Sequence, residues 1–204
     1  MATYIGGFTY VGTNGSTNVT GKANPYVAGG NLWPGDAVKL NGSVTIVGGM
    51  TYKQVVSAAD NANEALVGVV IGKKIGVTTG GASPTLDTLT GSSAPIVAGD
   101  LVYVIDDKNA IYSIPSSGNT IPAANLGLNG QINVATGSNG RSGMTLDGVY
   151  VNAATNAATA PLRVLDVVNS PDNDGVTTPF AIGTAFIVMI NNHSYNPATG
   201  VAGV

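Results

Sequence analysis

The stretch LVYVIDDKNAIYSI, from Leu101 to Ile114, contains two short runs of apolar and β-branched residues on either side of the polar residues DDKN. Runs of this length with flanking turn residues are typical of β-strands rather than helices. The pair Asp106–Asp107 lies where a turn is expected, because Asp side chains bond nearby backbone N–H groups. The stretch therefore predicts two strands joined by a turn.

The rest of the chain repeats this alternation of short runs and turn residues. Further predicted strands are Ser43–Val47, Leu66–Ile71, Leu162–Val168 and Ala185–Ile190. Pairs that tolerate the positive φ angles of tight turns are Asn14–Gly15, Asn41–Gly42, Asn129–Gly130, Asn139–Gly140, Asp147–Gly148 and Asp174–Gly175. Together they predict an all-β fold, a small barrel or sandwich of short strands with long Gly/Thr/Asn-rich loops.

Three segments are expected to form loops. Asn61 and Asn63 weaken the helical pattern of Ser57–Leu66, so we expect a loop with one helical turn at most. The other two, Val77–Ser93 and Asn152–Ala160, show no sustained apolar period. We divide the chain into an N-terminal β region, residues 1–94, and a C-terminal β region, residues 95–204, with a single domain as the alternative.

Two segments resemble each other within the chain. NLWPGDAVKLNG (Asn31 to Gly42) and PIVAGDLVYVIDD (Pro95 to Asp107) share Gly-Asp followed by alternating apolar residues. A turn that opens a strand is a common pattern. Two similar hairpins and an internal duplication both account for the similarity.

The composition narrows the class of protein. Of the 204 residues only 9% are charged, against about 25% in ordinary globular domains. The net charge is −3, and the basic residues are scattered, so a nucleic-acid partner is not expected. There is no cysteine, no long apolar run and no basic N-terminal leader, so we expect no disulfide, membrane helix or signal peptide. Low charge is compatible with a surface covered by partners and with a β-scaffold that has neutral polar loops, and either fits a structural protein better than a cytosolic enzyme.

No set of residues predicts an enzyme. His193 is the only histidine, and no G-x-S-x-G motif accompanies it, so a serine hydrolase is not supported. The pairs Asp106–Asp107 and Asp172 with Asp174 lie at expected turns, although a loose calcium site at the second pair stays open. We predict no catalytic, cofactor-binding or metal site.

Structural or interface roles are instead expected for a small set of residues. A single tryptophan most often anchors a core or an interface, and a histidine among amides at a strand end can bond backbone groups without catalysis. The candidates are Trp33, Arg163, Asn191, Asn192, His193 and Tyr195.

Four patches in the second half of the chain resemble one group of virion proteins. They are VYVIDDKNAIYSI (Val102 to Ile114), LGLN (Leu126 to Asn129), PLRVLDVVNSPDNDG (Pro161 to Gly175) and FIVMINNHSY (Phe186 to Tyr195). They resemble head decoration, or capsid cement, proteins of tailed phages. The resemblance implies a non-enzymatic, β-rich protein on the outer capsid surface of a virion. Its partners would be the major capsid protein and itself, as a homotrimer, without cofactor, nucleic acid or membrane.

Two other functions stay open at this point. The chain is compatible with another virion component, such as a major capsid, fibre or tail protein. It is also compatible with a carbohydrate-binding or hydrolytic β-domain, in which Trp33 or a tyrosine would contact the glycan.

Overall fold

The computed structural model describes residues 6–14, 22–59, 64–75, 85–87, 94–117, 121–149, 159–169, 180 and 183–195. These residues contain strands, a single 3-10 turn at Ala123–Asn125 and no α-helix, which confirms the predicted all-β fold. The strands are β1 Thr9–Thr13, β2 Ala23–Ala28, β3 Ala37–Val47, β4 Met50–Ser57, β5 Gly68–Ile75, β6 Thr85–Asp87, β7 Leu101–Ile105, β8 Ala110–Pro115, β9 Asn129–Asn133, β10 Thr145–Val149, β11 Leu162–Val167 and β12 Ala185–Ile190.

The strands form an open sheet and a small barrel. The open sheet has the order β1-β8-β12-β11-β9-β10, with antiparallel pairs throughout. The second sheet has the order β3-β4-β2-β7-β5-β6, and β3 also pairs with β5. This extra pairing closes β3, β4, β2, β7 and β5 into a barrel, which removes most of the free strand edges that an open sheet would leave.

Each predicted run overlaps a strand, although Leu66 and Val67 precede β5 and Val168 follows β11. The opening stretch, however, does not form a hairpin. Its first half is β7, in the barrel, and its second half is β8, in the open sheet. The residues between them form a corner, at which Asp107 accepts a hydrogen bond of 2.9 Å from the backbone N–H of Asn109. Local sequence predicts the turn, whereas the sheet that each strand joins depends on long-range packing.

The Asn-Gly and Asp-Gly pairs have several roles. Asn139–Gly140 forms a tight turn with φ angles of 50° and 78°. Asn41–Gly42 does not form a hairpin turn, because it lies within β3, where Gly42 (φ 81°) sits at a break in the register with β4. The turn from β3 to β4 instead uses Gly48 and Gly49, with φ angles of 57° and 79°.

Two further pairs also lie inside strands. Asn129–Gly130 begins β9, and Asp147–Gly148 lies at a bulge in β10. Gly15 and the pair Asp174–Gly175 lie outside the described residues. A glycine that permits an irregular backbone therefore marks a bulge as readily as a turn.

The predicted loops are only partly described. Val77–Ser93 contains a strand that the sequence did not suggest, β6, which pairs with β5. The remainder of that segment, residues 60–63 and residues 152–158 lie outside the described residues.

The two similar segments meet in the barrel. Leu32 and Ile96 form a reciprocal antiparallel bridge, with N–O distances of 2.9 and 2.8 Å. Each is followed by a turn whose glycine has a positive φ, 89° at Gly35 and 94° at Gly99. Turns of this kind favour glycine at their third position.

The aspartates of the two turns have equivalent contacts. Asp36 accepts a hydrogen bond from the backbone N–H of Trp33 at 2.8 Å, and Asp100 accepts one from Val97 at 3.2 Å. The first turn leads into β3, which pairs with β5, and the second leads into β7, which pairs with β2. Each of these two strands therefore pairs with at least one strand from the other half of the barrel, and the two similar segments form similar turn-and-strand units.

Buried apolar side chains form two clusters. One fills the barrel and includes Leu32, Val38, Val70, Ile96 and Val102. The other joins the barrel to the open sheet; its members include Val69, Ile105, Tyr112, Leu162 and Phe186. Each sheet contains strands from both predicted regions, residues 1–94 and residues 95–204. The predicted boundary between these regions therefore does not coincide with the boundary between the two sheets.

Candidate functional site

The polar residues after β12 tie this strand to the start of β11. The side-chain amide of Asn191 donates to the carbonyl of Ala160 at 3.0 Å, and that of Asn192 donates to the carbonyl of Thr159 at 3.1 Å. Both asparagines are half-buried. The structure therefore gives these two predicted residues contacts within the chain.

The same segment connects the open sheet to the barrel. His193 forms a parallel bridge with Leu66, just before β5. The backbone N–H of Leu66 donates to the carbonyl of Asn192 at 2.9 Å, and that of Ser194 donates back to the carbonyl of Leu66 at 2.7 Å. The last described segment thus closes the two layers against each other.

The buried imidazole of His193 is held in its neutral form. Its Nδ1 atom accepts a hydrogen bond of 3.1 Å from the backbone N–H of Tyr195, so Nε2 carries the proton. Nε2 is buried and makes no hydrogen bond of good geometry among the described residues, although backbone groups of Asp106 and Val67 lie close enough to act on the ring. Burial lowers the pKa of His193, while the carboxylates of Asp106 and Asp107 act in the opposite direction. A neutral, enclosed imidazole suits a structural role.

His193→Ala is expected to lower the free energy of unfolding by about 1–3 kcal/mol, because it leaves a cavity and removes the acceptor for Tyr195. His193→Asn, whose side-chain oxygen can replace Nδ1, should recover part of this loss. Since the folded pKa is lowered, the wild type should also lose stability as the pH falls below the ordinary histidine value of 6.5, and neither variant should show this part of the loss. Urea denaturation at several pH values measures both effects. Equal stability of all three proteins would contradict the structural role.

A hydrogen-bonded network joins Tyr195 to the barrel. Asp106 accepts from the side-chain amide of Asn24 at 2.7 Å and from the hydroxyl of Tyr26 at 2.6 Å. The Tyr26 and Tyr195 hydroxyls lie 2.9 Å apart. Burial and the hydrogen bonds to Asp106 and Tyr195 raise the pKa of Tyr26, so its hydroxyl stays protonated and donates to the carboxylate.

This network forms the wall of an open cleft of about 390 Å³. The ammonium of Lys53 lies 3.3 Å from the Tyr195 hydroxyl and 4.7 Å from the centre of its ring. The cleft is lined by Asn24, Pro25, Tyr26, Thr51, Tyr52, Lys53, Asp106 and Tyr195. We call it the tyrosine cleft.

A second exposed feature is the distal part of the β3–β4 hairpin, residues 43–53, which we call the arm. Its strands pair with each other, and β4 pairs with β2 only from Gln54 onward. Three apolar side chains of the arm are largely exposed: Val44 (64%), Ile46 (71%) and Met50 (65%). Lys53 is the single charged residue of the arm.

The other two predicted residues, Trp33 and Arg163, lie outside the lining of the tyrosine cleft and outside the arm. Trp33 is buried, and its ring packs directly against the backbone of Gly137. The half-buried Arg163 of β11 donates to the side chain of Asn129 in the neighbouring strand β9 at 3.3 Å.

The described residues contain no group of three or more histidine, cysteine or acidic side chains placed to hold a metal ion. Asp172 and Asp174, at which the sequence leaves a loose calcium site open, lie outside that part of the chain. No helix among the described residues is long and apolar enough to cross a lipid bilayer.

The sequence did not identify the neighbours of Tyr195 in the tyrosine cleft. Asn24 and Tyr26 alternate along β2 and share one face of the strand, which was the available signal. Asp106 was assigned to a turn on local grounds, but its hydrogen bonds reach across to β2. Pairing of β2 with β7, which brings these residues together, depends on the closure of the barrel.

Comparison of the chain with protein-family models, curated proteins and solved structures finds no match.

Proposed function

We propose that the protein is a non-enzymatic structural component of a phage virion that binds the outer surface of the capsid and stabilises it. Its partners would be the major capsid protein and two further copies of itself, in a homotrimer. Support comes from the resemblance of four sequence patches to phage decoration proteins, from the low charge of the chain and from the exposed arm.

The arm is the observation that carries the proposal. An isolated two-stranded ribbon is only marginally stable in water, and apolar side chains exposed together on a surface often mark an interaction site. Val44 and Ile46 are two residues apart in β3, so they lie on the same face of the ribbon. Such a surface gains stability when a partner covers it, because burial removes apolar area from water.

The mechanism would be thermodynamic. A protein that binds the assembled shell but not its free subunits stabilises the shell by mass action. Three arms in one trimer would add effective concentration, so that each contact can be weak by itself.

The general test compares capsids of the phage that encodes the chain with and without the protein. Bound protein should raise the temperature at which the capsids release DNA, and mass measurement of the purified protein should give a trimer. Failure to bind the capsids would contradict the proposal. Formation of closed shells by the protein alone would favour a major capsid protein instead.

The double variant Val44→Thr, Ile46→Thr tests the arm. Threonine keeps the branched shape that suits a strand but removes apolar surface. We expect capsid affinity to fall by at least roughly tenfold, with the free energy of unfolding changed by less than about 0.5 kcal/mol. Co-sedimentation with capsids and urea denaturation measure the two quantities.

Val11→Thr is the matched control. Val11 is also exposed, at 46%, but it lies in β1 at the edge of the open sheet. It should leave capsid binding unchanged. If the arm variant binds as tightly as the wild type, or if the control is equally weakened, the arm is not the contact surface.

A further inference from the structure

The tyrosine cleft has the composition of a small-ligand site. Its volume of about 390 Å³ falls at the lower end of the range for small-molecule sites. The walls come from three strands that are distant in sequence, β2, β4 and the end of β7, together with Tyr195 beyond β12. A ligand of one or two rings would contact all of these walls at once.

The charges of the cleft favour a neutral ligand. Among the residues that line it, Lys53 provides one positive charge and Asp106 one negative charge, and both are engaged by tyrosine hydroxyls. One carboxylate is too few for a divalent cation, which takes several oxygen ligands. A single lysine is also too little for selective anion binding, because anion sites usually contain arginine or several hydrogen-bond donors.

The polar groups of the cleft are fixed before any ligand arrives. Asp106 is held by one hydrogen bond to each oxygen, from Asn24 and Tyr26. A carboxylate has about four acceptor positions, so these two bonds leave it able to accept from ligand hydroxyls. Groups held in this way bind at a lower entropic cost than free side chains.

The cleft also offers aromatic surface beside these polar groups. The side chain of Tyr195 is 40% exposed, and Lys53 and Tyr26 hold its hydroxyl in place. Tyr52 of β4 also lines the cleft and is half-buried, but its side chain points to the face of the strand opposite to that of Lys53. An aromatic ring is amphipathic, with an apolar face and, in tyrosine, a polar tip.

We propose that the tyrosine cleft binds a neutral saccharide. A sugar ring presents several hydroxyls, which both donate and accept hydrogen bonds, and an apolar face of C–H groups. The hydroxyls match the carboxylate of Asp106, the amide of Asn24 and the ammonium of Lys53. The C–H face matches the exposed part of the Tyr195 ring. This inference is independent of the proposed capsid function and goes beyond it.

The test uses the purified protein without capsids. Saturation-transfer NMR and calorimetry with the methyl glycosides of glucose, galactose, mannose and N-acetylglucosamine should detect at least one ligand in the millimolar range. Tyr195→Ala and Lys53→Ala should each weaken that binding by roughly threefold to tenfold, which corresponds to the loss of one stacking contact or hydrogen bond. Lys108→Ala, an exposed lysine outside the cleft, is the control and should bind like the wild type.

Thermal melts of each variant show whether it is folded. Tyr195→Phe supplies a milder change, because it removes the hydroxyl and keeps the ring. Absence of binding to all four glycosides would overturn the proposal, as would binding that both cleft variants leave unchanged. Tighter binding of glucuronate than of the methyl glucoside would contradict the inference that the ligand is neutral. Saccharide binding is measured here without capsids, whereas Val44→Thr, Ile46→Thr tests capsid binding. Because Lys53 lies in both the cleft and the arm, Tyr195→Ala is the variant that separates the two functions.

Discussion

Gly68→Ala is expected to lower the free energy of unfolding by on the order of 3 kcal/mol or more. Gly68 begins β5 and pairs with Val38 of β3 at the point where the barrel closes. A Cβ atom at this position would overlap the carbonyl oxygen of Ile105 and lie 2.8 Å from a methyl group of Val104. The backbone oxygen belongs to β7, so relief requires separation of β5 from β7.

Urea denaturation measures the loss, and Gly30→Ala is the matched control. A Cβ atom at Gly30 would meet no atom within 4 Å, and its φ angle is not positive. The control should therefore be neutral or slightly stabilising, because alanine reduces the entropy of the unfolded chain. If the two variants are equally stable, the close approach of β5 and β7 does not hold in solution.

Asp36→Asn is expected to stabilise the protein near neutral pH, by up to about 3 kcal/mol. Asp36 is only 4% exposed, and burial raises the pKa of its carboxyl from 3.8 to about 6, although hydrogen bonds from Ser142 and the backbone of Trp33 act against the shift. Ionisation of this carboxyl in the folded protein is thus less favourable than in the unfolded chain. Asparagine has nearly the same shape and stays neutral.

The sign of the pH dependence follows from the raised pKa. Below pH 3.8 the carboxyl is protonated in both states, and its contribution to stability is fully present. Between pH 3.8 and about 6 this carboxyl ionises in the unfolded chain before it does so in the folded protein, so its contribution to stability decreases. Above about pH 6 the carboxyl is ionised in both states, and the contribution no longer changes with pH. We expect the difference in stability between Asp36→Asn and the wild type to be small at pH 4 and to grow up to about pH 6. His193 gives a pH dependence of the opposite sign, but it does so equally in the variant and the wild type. The difference in stability between the two proteins therefore reports on Asp36 alone.

Asp100→Asn provides a matched control in the second turn. Asp100 has the same backbone contact, but it is 34% exposed and lies 3.8 Å from the ammonium of Lys73. Its replacement should not raise stability at neutral pH. Urea denaturation from pH 4 to pH 7 distinguishes the two turns. Equal behaviour of both variants would show that burial of Asp36 does not set its effect on stability.

Much of the fold could be predicted because its strands have clear local patterns. The run AFIVMI alternates between buried and half-buried positions in β12, as a strand of an open sheet should. The run LVGVVI lacks such alternation, since Val69 faces the core between the layers and Val70 faces the barrel core. A strand buried on both faces needs apolar residues at every position. The strand itself could therefore be predicted, but not which residues face the core between the layers and which face the barrel core.

Less of the candidate site than of the fold could be predicted from the sequence. Asn191 and Asn192 stood out because they follow a buried strand, and their contacts are local to the ends of β11 and β12. The tyrosine cleft instead joins residues from opposite ends of the chain, such as Tyr26 and Tyr195. Nothing in the residues around either tyrosine indicates the other.

The sequence by itself determined the all-β class, the positions of the main strands and the repeated Gly-Asp turns, because these depend on the periodicity and backbone freedom of neighbouring residues. Only the tertiary structure decided that β7 and β8 separate into different sheets, that Asp36 is buried while Asp100 is not, and that Tyr195 meets Tyr26. Those outcomes depend on which surfaces pack together when the barrel closes, and packing between distant segments leaves no local pattern in the chain.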